Sequence, residues 1–286
     1  MSIVISIANQ KGGVSKTTTA SLLAVGLDRM GFRVLAFDAD AQGNMSTALH
    51  ADKSDDAFCL ADLMEHIQVV DDNGKKRQIC IGDVIQHAEY CDVIASNSRT
   101  AKAAENFTEE DRLYFLSELM DELRPLYDFV ILDTGPAKDL MIKNCLVASD
   151  GVIIPVIPAE YAMEGVEAMA ETLNQARRKK LNPGLKFYGI LMTKYQANYT
   201  SSKKFLPLAD EFAEAMNGKL FQSVIRIDEN VNKSQAASVP EEKKRFAGQK
   251  GIILYDYSPN THAVEDYKAF ISELLHDLEM EVPHAH

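Results

Sequence analysis

Cysteines are few in this sequence, and long apolar runs are absent. Four cysteines occur among 286 residues: Cys59, Cys80, Cys91 and Cys145. They form no C-x-x-C pair and have no histidine-rich neighbourhood, which predicts reduced thiols and disfavours a cysteine-based metal or redox centre. No stretch approaches the roughly eighteen apolar residues of a membrane span, and residues 1–8 are too short for a signal peptide. We therefore expect a cytoplasmic protein.

Positive charge is also scarce. The chain carries 30 Lys and Arg against 42 Asp and Glu, a formal net charge of −12. Bulk electrostatic attraction to nucleic acid or to anionic lipid is therefore not expected, and any DNA contact must come from a local basic patch. The acidic segment 273–281 is unlike the basic amphipathic helices that bind anionic membranes, so no membrane partner is expected.

Strand-like and helical segments alternate along the chain. With 46% hydrophobic residues, this alternation predicts an α/β fold, a doubly wound and mostly parallel sheet flanked by helices, in a single domain over residues 1–286. The predicted strands are 1–8, 33–38, 91–95, 128–132, 151–157, 186–192 and 224–227. The predicted helices include 17–30, 111–123, 162–180, 202–216 and 262–278, and the polar segment 71–76 predicts a hairpin or loop.

A glycine-containing segment follows the first strand and leads into the first helix. In this position Gly12 and Gly13 allow positive φ, and the backbone N–H groups and the helix dipole both favour an anion. Lys16 is placed to neutralise phosphate, and the Thr17 hydroxyl to hold Mg²⁺. The predicted nucleotide-binding residues are Gly12, Gly13, Val14, Ser15, Lys16, Thr17 and Thr18.

Two carboxylate motifs follow later strands. Asp38 and Asp40 lie two residues apart at the end of the second predicted strand, where paired carboxylates can order Mg²⁺-bound and attacking water. Asp133 ends the apolar run Phe129 to Leu132, which predicts a buried strand that delivers a carboxylate to the ligand-binding edge of the sheet. Thr17, Asp38 and Asp133 are the predicted metal-binding residues.

The string Lys11-Gly-Gly-Val-Ser-Lys-Thr-Thr18 resembles the deviant phosphate loop of the ParA/MinD superfamily of P-loop ATPases. The resemblance implies that Lys11 reaches across an ATP-dependent homodimer to the partner's nucleotide. The segment 37–44 is similar to the family's first switch, with Ala41 in place of proline, which implies that Asp40 positions the hydrolytic water. Lys11, Lys16 and Asp40 are thus the predicted catalytic residues, and ATP and Mg²⁺ the predicted cofactors.

Three positions extend or qualify this resemblance. Segments 154–165 and 189–195 resemble the family's later strand ends, which places Pro158 and Thr193 near the base. Ser15 stands where the family has glycine, and a side chain there costs about 1–3 kcal/mol if the position needs a glycine-only conformation.

The function implied by the resemblance is that of a ParA/Soj-like ATPase in plasmid or chromosome partition. Its partners would be nonspecific DNA and a ParB-like centromere-binding protein that stimulates hydrolysis. The sequence also leaves open an ATP-gated scaffold that hydrolyses little and does not bind DNA. Ser15, the acidic charge and the absence of both arginines of a family motif at 227–236 favour this alternative. The candidate DNA-binding residues are Arg177, Arg178, Lys203, Lys204, Arg226 and Lys233.

Overall fold

The computed structural model describes residues 2–70, 74–106, 110–136, 140–159, 162–178, 181–198, 200–240 and 249–283, without the side chains of residues 110–111 and 200–203. The strands in these ranges are β1 Ile3–Ile7, β2 Val34–Asp38, β3 Gln68–Val70, β4 Lys76–Gln78, β5 Ile85–His87, β6 Asp92–Ile94, β7 Phe129–Asp133, β8 Gly151–Val156, β9 Lys186–Tyr195 and β10 Lys219–Arg226.

The helices follow most of these strands. They are α1 Lys16–Arg29, α2 Asn44–Ala48, α3 Leu60–Met64, α4 Ile81–Val84, α5 Ser98–Glu105, a 3-10 helix Glu110–Tyr114, α6 Phe115–Leu123, α7 Leu140–Ala148, α8 Ala162–Arg178, α9 Thr200–Ala215, α10 Glu229–Ala236, α11 Leu254–Tyr257 and α12 His262–Asp277.

Eight strands form one sheet in the order β10-β9-β8-β1-β7-β2-β6-β5, and β3 pairs with β4 in a separate hairpin. Within the large sheet only β5 and β6 pair antiparallel. The chain winds outward in both directions from the β1–β7 pair, so the topological switch point lies beside β1. The predicted doubly wound, mostly parallel sheet is confirmed.

The central strands are buried because helices cover both faces of the sheet. Every residue of β2 and β7 is buried, as a parallel sheet with two covered faces requires. Helices α1, α2, α11 and α12 contribute to the core on one face. Helices α3, α6, α7, α8 and α9 pack on the other.

Strand β10 begins five residues earlier than the predicted strand 224–227. It is an edge strand, and α12 supplies partners for its backbone. The Glu273 carboxylate accepts from the backbone N–H groups of Gln222 and Ser223 at 2.9 and 2.8 Å. Lys219 forms ion pairs with Glu273 and Asp277. Polar residues are tolerated in this strand because carboxylates of a neighbouring helix pair with its groups. The strand therefore lacks the continuous apolar run from which its first residues would have been predicted.

Other predicted segments agree with the structure in type. The predicted helix 111–123 begins as the 3-10 helix and continues as α6. The predicted hairpin is formed by β3 and β4, while its turn, residues 71–73, lies outside the described residues. The four cysteines are free thiols. In the part of the chain that the structure describes, no helix has the length and hydropathy to cross a membrane.

A bulge in β9 gives a test of the fold. Gly189 has φ +151°, and a Cβ there would lie 2.2 Å from the carbonyl oxygen of Lys219 on β10. We expect Gly189→Ala to lower the free energy of unfolding by about 2–4 kcal/mol, because both the backbone conformation and the strand contact oppose a side chain. Urea denaturation measures this change.

Gly184→Ala is the matched control. A Cβ at Gly184 would meet only the Asn182 side chain, at 3.8 Å, so its effect should stay within about 0.5 kcal/mol. Equal stabilities of the two variants would contradict the assigned geometry of the bulge.

Candidate functional site

The segment between β1 and α1 forms an open loop at the carboxyl edge of the sheet. Gly13 has φ +75°, and a Cβ at Gly12 or Gly13 would meet nothing within 4 Å. Ser15 precedes α1 with φ 69° and ψ 27° and makes no side-chain capping bond. This is the left-handed helical region, which serine can enter at a cost of about 1–2 kcal/mol, so it is not a glycine-only position. The loop leaves its concave side free for a ligand.

Three polar side chains hold this loop against the sheet and α8. The buried Asn9 donates from its amide to the carbonyl of Pro155 at 2.9 Å. Gln10 donates to α8 through the Ala168 carbonyl at 3.0 Å. Thr193 on β9 donates its hydroxyl to the carbonyl of loop residue Val14 at 3.2 Å. Elements β8, α8 and β9 therefore fix the loop before any ligand arrives.

Lys16, the first residue of α1, is a buried cation at this loop. Its side chain ammonium donates to the carbonyl of Lys11 at 3.1 Å, and the residue is 7% exposed. Burial lowers the pKa of Lys16, while the negative charges of Asp133 and Asp40 oppose that change. A positive charge is thus held at a helix N-terminus, where the backbone dipole also favours an anion.

Asp133 lies at the end of β7, level with Asp38 on β2 in the strand register. It is fully buried, and among the described residues no donor makes a hydrogen bond to either carboxylate oxygen. Burial and the negative charge of Asp38 raise the pKa of Asp133 well above its usual value. The nearby Thr17 hydroxyl and the positive charge of Lys16 oppose this shift. Because such an orphaned carboxylate is costly, its surroundings suit a cation placed between Asp133 and the Thr17 hydroxyl.

Asp38 has a different environment, although the sequence assigned it to the same metal site. Its carboxylate accepts from the Ser46 N–H at 2.7 Å, from the Ser46 hydroxyl at 2.6 Å and from the Asp40 N–H at 3.2 Å. The Ser46 hydroxyl in turn accepts from the N–H of Ser96. Burial raises the pKa of Asp38 to about 6 despite these bonds. The carboxylate is satisfied by donors of this chain, and it anchors the turn that carries Asp40.

Asp40 stands on a tight turn beside the loop. Its carboxylate accepts from the Gln42 N–H at 3.0 Å, and its carbonyl accepts from the Gly43 N–H at 2.9 Å. Lys53 closes the turn by donating to the carbonyl of Gly43 at 2.8 Å. A Cβ built on Gly135 would lie 3.4 Å from a carboxylate oxygen of Asp40, so the segment after β7 passes close to this group.

These elements enclose a cavity of about 610 Å³. It is lined by Gly12, Gly13, Ser15, Lys16, Thr17, Thr18, Ser21, Leu22, Asp40, Gln42, Asn44, Thr47, Ala48, Pro136, Lys194, Val231, Asn232, Ser234, Gln235 and residues 251–254. The predicted loop residues other than Val14 therefore meet Asp40 at one cavity. Asn44 ends the segment matched to the family's first switch, and Thr47 follows it on α2. Gln235 was not predicted as a site residue, because it reaches the cavity from α10, nearly 200 positions later in the chain.

Several predicted residues do not line the cavity, among them the buried Val14, Asp38 and Asp133. Pro158 is buried beyond β8 and does not line it. Thr193 lies behind the loop, and its neighbour Lys194 faces the cavity and donates to the carbonyl of Gly13 at 3.1 Å. The side chain of Lys11 lies outside the lining and pairs with Glu164 at 3.5 Å. Strand β9 was located correctly in the sequence, but the residue that it presents to the cavity is displaced by one position.

The candidate DNA-binding residues do not form one patch. Arg177 and Arg178 end α8, a helix of 17 residues that spans about 25 Å away from the loop. Arg177 donates to the carbonyl of Leu185 at 2.8 Å, just before β9 begins. These two arginines therefore lie at the opposite edge of the sheet from the cavity. Lys204 is exposed, and the side chain of Lys203 lies outside the described residues.

Two further candidates are paired with carboxylates. The Arg226 guanidinium binds both oxygens of Asp266 at 2.7 to 3.0 Å and contacts Glu265 at 3.3 Å. Lys233 pairs with Glu229 at 3.1 Å across one helical turn. Bidentate arginine pairs are well oriented, so the positive charge of Arg226 is largely offset where a DNA contact was predicted.

Comparisons with known proteins agree with this geometry. The family model described as AAA domain matches residues 2–187. Sporulation initiation inhibitor protein Soj of Bacillus subtilis is 32% identical over 277 residues, 96% of this chain and 98% of Soj. Chromosome partitioning protein ParA of Caulobacter vibrioides is 31% identical over 256 residues, 88% of this chain and 87% of that protein.

A solved structure shows the same fold. Cobyrinic acid a,c-diamide synthase from Mycobacterium smegmatis, with bound ATP analog and magnesium, superposes with a TM-score of 0.75 at 22% identity, covering 98% of this chain and 96% of that chain. At this identity the likeness supports the fold alone. The match to Soj over nearly the whole chain, together with the family model over residues 2–187, shows that the chain belongs to the ParA/MinD superfamily of P-loop ATPases.

Proposed function

We propose that this chain is a magnesium-dependent ATPase of the ParA type that acts in the partition of plasmid or chromosomal DNA. The observation that supports the proposal is the buried Lys16, which lines the cavity, together with the nearby Asp133, a fully buried carboxylate without a hydrogen-bond donor among the described residues. The relatives, a sporulation initiation inhibitor and a chromosome partitioning protein, support the biological role.

The phosphate loop would hold the triphosphate through its own backbone. The N–H groups of residues 12–17 and the dipole of α1 favour phosphate oxygens, and the Lys16 ammonium would leave the Lys11 carbonyl to bind the β and γ phosphates. Because Asn9, Gln10 and Thr193 already fix the loop, little conformational entropy is lost when the anion binds.

Thr17 and Asp133 would hold the magnesium ion. The two Asp133 oxygens, buried and without donors among the described residues, fit a cation that binds directly or through water. When bound, magnesium neutralises phosphate charge that develops during transfer. Asp38 would act beneath this site, since its hydrogen bonds to Ser46 keep the Asp40 turn in place. Asp40, at the cavity surface, would orient the attacking water.

Dimerisation would complete the site. Lys11 is half-exposed and pairs with the exposed Glu164, a weak contact in water that can be exchanged for a phosphate of the partner's nucleotide. We propose that the ATP-bound homodimer binds nonspecific DNA and that a ParB-like centromere-binding protein stimulates hydrolysis. The hydrolysed state would then return to monomers and release DNA.

A second candidate function is an ATP-gated scaffold that hydrolyses little and does not bind DNA. The ion pairs of Arg226 with Asp266 and of Lys233 with Glu229 favour it, because they offset charge at the place where DNA contact was predicted. Nucleotide binding and dimerisation are the same in both proposals. They differ in how fast the bound ATP is hydrolysed and in what the dimer recognises.

Removing the buried ammonium tests nucleotide binding itself. We expect Lys16→Ala to weaken ATP binding at least about 100-fold, because a charge-assisted contact to phosphate in a buried site is lost. Fluorescence titration with a labelled ATP measures the affinity. Lys102→Ala, an exposed change on α5, is the control and should bind as the wild type does; unchanged affinity in Lys16→Ala would refute the proposal.

Asp133→Asn tests the metal site through stability. The folded-state pKa of Asp133 is raised, so the folded protein binds this proton more tightly than the unfolded chain, and stability falls as pH rises above about 4 toward the folded pKa. The uncharged variant lacks this loss. We expect it to melt at a higher temperature than the wild type at pH 8 without magnesium, and to lose the stabilisation by ATP and magnesium that the wild type shows.

Asp128→Asn, at the other end of β7, is the control for that measurement. Arg33 lowers the pKa of Asp128, so the ionised Asp128 stabilises the folded protein at pH 8. Removing its charge should therefore make this variant less stable than the wild type. Its response to ATP and magnesium should be retained. Magnesium stabilisation that survives in Asp133→Asn would remove Asp133 from the metal site.

A salt titration separates the two functions. With ATP and magnesium, the partition proposal expects binding to random duplex DNA that weakens steeply between 50 and 200 mM salt, roughly tenfold or more, because phosphate contacts release counterions. Fluorescence anisotropy of a labelled duplex measures it. Arg178→Glu and Lys204→Glu report which edge of the sheet contacts DNA. An absence of DNA binding at every salt concentration, with ATP-dependent dimers still formed, would support the scaffold.

A further inference from the structure

His50, two residues after α2, places a histidine ring in the interior of the protein. Its backbone has φ +60°, a left-handed conformation that is uncommon outside glycine. The residue is 3% exposed, and its imidazole lies 5.4 Å from the ring of Tyr90, centroid to centroid. The fold therefore holds this ring in one position, although neither the backbone conformation nor the burial of a histidine is favourable by itself.

Both ring nitrogens of His50 face an acceptor. Nδ1 lies 2.5 Å from a carboxylate oxygen of Glu89, in the loop between β5 and β6, and Nε2 contacts the carbonyl oxygen of Gly251. A neutral imidazole has one N–H to donate, whereas an imidazolium has two. Filling both contacts therefore requires one proton more than a neutral ring beside an ionised carboxylate holds. Because histidine is a stronger base than glutamate, that proton resides on the ring.

The surroundings of the ring favour its positive charge. Glu89 and Tyr90 are the ionisable side chains that the structure places against it, and α2 and residues 251–254 have none. Asp52 and Lys53, which follow in sequence, bond to backbone groups of nearby loops. The Glu89 side chain is 12% exposed and that of His50 is fully buried, so water and salt screen their attraction little.

The acceptor of the second contact belongs to the wall of the nucleotide cavity. Gly251 lines the cavity together with residues 252–254. A Cβ on Gly251 would lie 3.8 Å from the Cα of Ala48, so this backbone packs directly on α2. The Gly251 N–H donates to the carbonyl of Ala237, directly after α10, at 2.8 Å. The ring of His50 therefore connects α2 to the part of the wall that comes from the end of the chain.

We propose that Glu89 holds His50 as an imidazolium and that His50 is a positioning residue, which fixes the cavity wall at Gly251 only while it carries the proton. This inference rests on the proposed ATP binding and goes beyond it. When the ring loses one proton, the remaining N–H stays on Nδ1, beside the stronger acceptor, the carboxylate. The lone pair of Nε2 then faces the Gly251 carbonyl, and this contact is lost. ATP affinity accordingly falls as the pH rises.

NMR of the ring nitrogens reads the protonation state directly. The seven histidines of the chain are labelled with 15N, and the His50 signals are assigned by their absence in His50→Asn, since asparagine also tolerates positive φ. We expect both ring nitrogens of His50 to resonate as imidazolium nitrogens at about pH 7, in the full chain without nucleotide. The two separated signals of a neutral tautomer would overturn the inference, whatever the protein binds.

Calorimetric titrations of ATP with magnesium, from about pH 6 to 9, test the effect on the cavity. In Glu89→Gln the side-chain amide can donate to Nδ1, so a neutral ring keeps its N–H for Gly251. We expect the wild-type affinity, divided by that of Glu89→Gln, to fall about three- to tenfold as the pH rises, the value of one hydrogen bond. The titrations of Lys16 and of ATP itself are common to both proteins and cancel in this ratio. His50→Asn should bind ATP more weakly than Glu89→Gln at every pH.

His87→Asn is the matched control. His87 pairs with Asp92 as His50 does with Glu89, but its side chain is 82% exposed, and the variant should reproduce the wild-type pH profile. A ratio of wild type to Glu89→Gln that stays constant with pH would refute the positioning role and leave the proposed ATPase function intact. If the wild type binds no ATP at any pH, the proposed function fails and the role at the cavity fails with it. Glu89→Gln changes no volume, so it remains informative even if His50→Asn does not fold.

Discussion

The site depends on a buried lysine in the first turn of α1 and a buried aspartate at the end of β7, which are close enough for each charge to affect the other's pKa. Burial lowers the pKa of Lys16 and raises that of Asp133, so both charges are costly in this environment. Their mutual attraction opposes this, yet neither charge is neutralised by a hydrogen-bonded ion pair among the described contacts. A metal-bound triphosphate satisfies both at once, an anion for Lys16 and a cation for Asp133.

This arrangement is a product of the parallel sheet. The register of β1, β7 and β2 places Ile7, Asp133 and Asp38 at one level, so the loop after β1 and two carboxylates emerge together at the carboxyl edge. The surrounding polar side chains then fix the loop and the Asp40 turn. Recognition groups held by a rigid scaffold reorganise little on binding, which favours both affinity and catalysis.

Charge at the surface is distributed differently from charge at the site. The chain is strongly acidic overall, and Arg226, Lys219 and Lys233 are each paired with carboxylates of α12 or α10. Exposed pairs of this kind contribute little to stability, but they reduce the field that attracts DNA phosphates. Any nonspecific DNA binding by this chain must therefore arise from a more local surface or from the joined faces of a dimer.

The phosphate loop, Asp40, Asp133 and the doubly wound class could be predicted from the sequence because each signal is local: glycines and a lysine between an apolar strand and a helix, and carboxylates directly after buried strands. Ser15 could likewise be flagged, although only its φ and ψ showed that a serine can occupy the position.

Contacts between distant segments decided the rest. Asp38 is satisfied by a network that reaches Ser96, and the cavity is lined by Lys194 where Thr193 was expected. The same cavity joins α1 and α2 with residues 251–254, more than 200 positions later in the chain. Periodicity identifies a strand or a helix face, but it does not specify which element packs against that face, because the partner is chosen by the burial and hydrogen bonding of the whole fold.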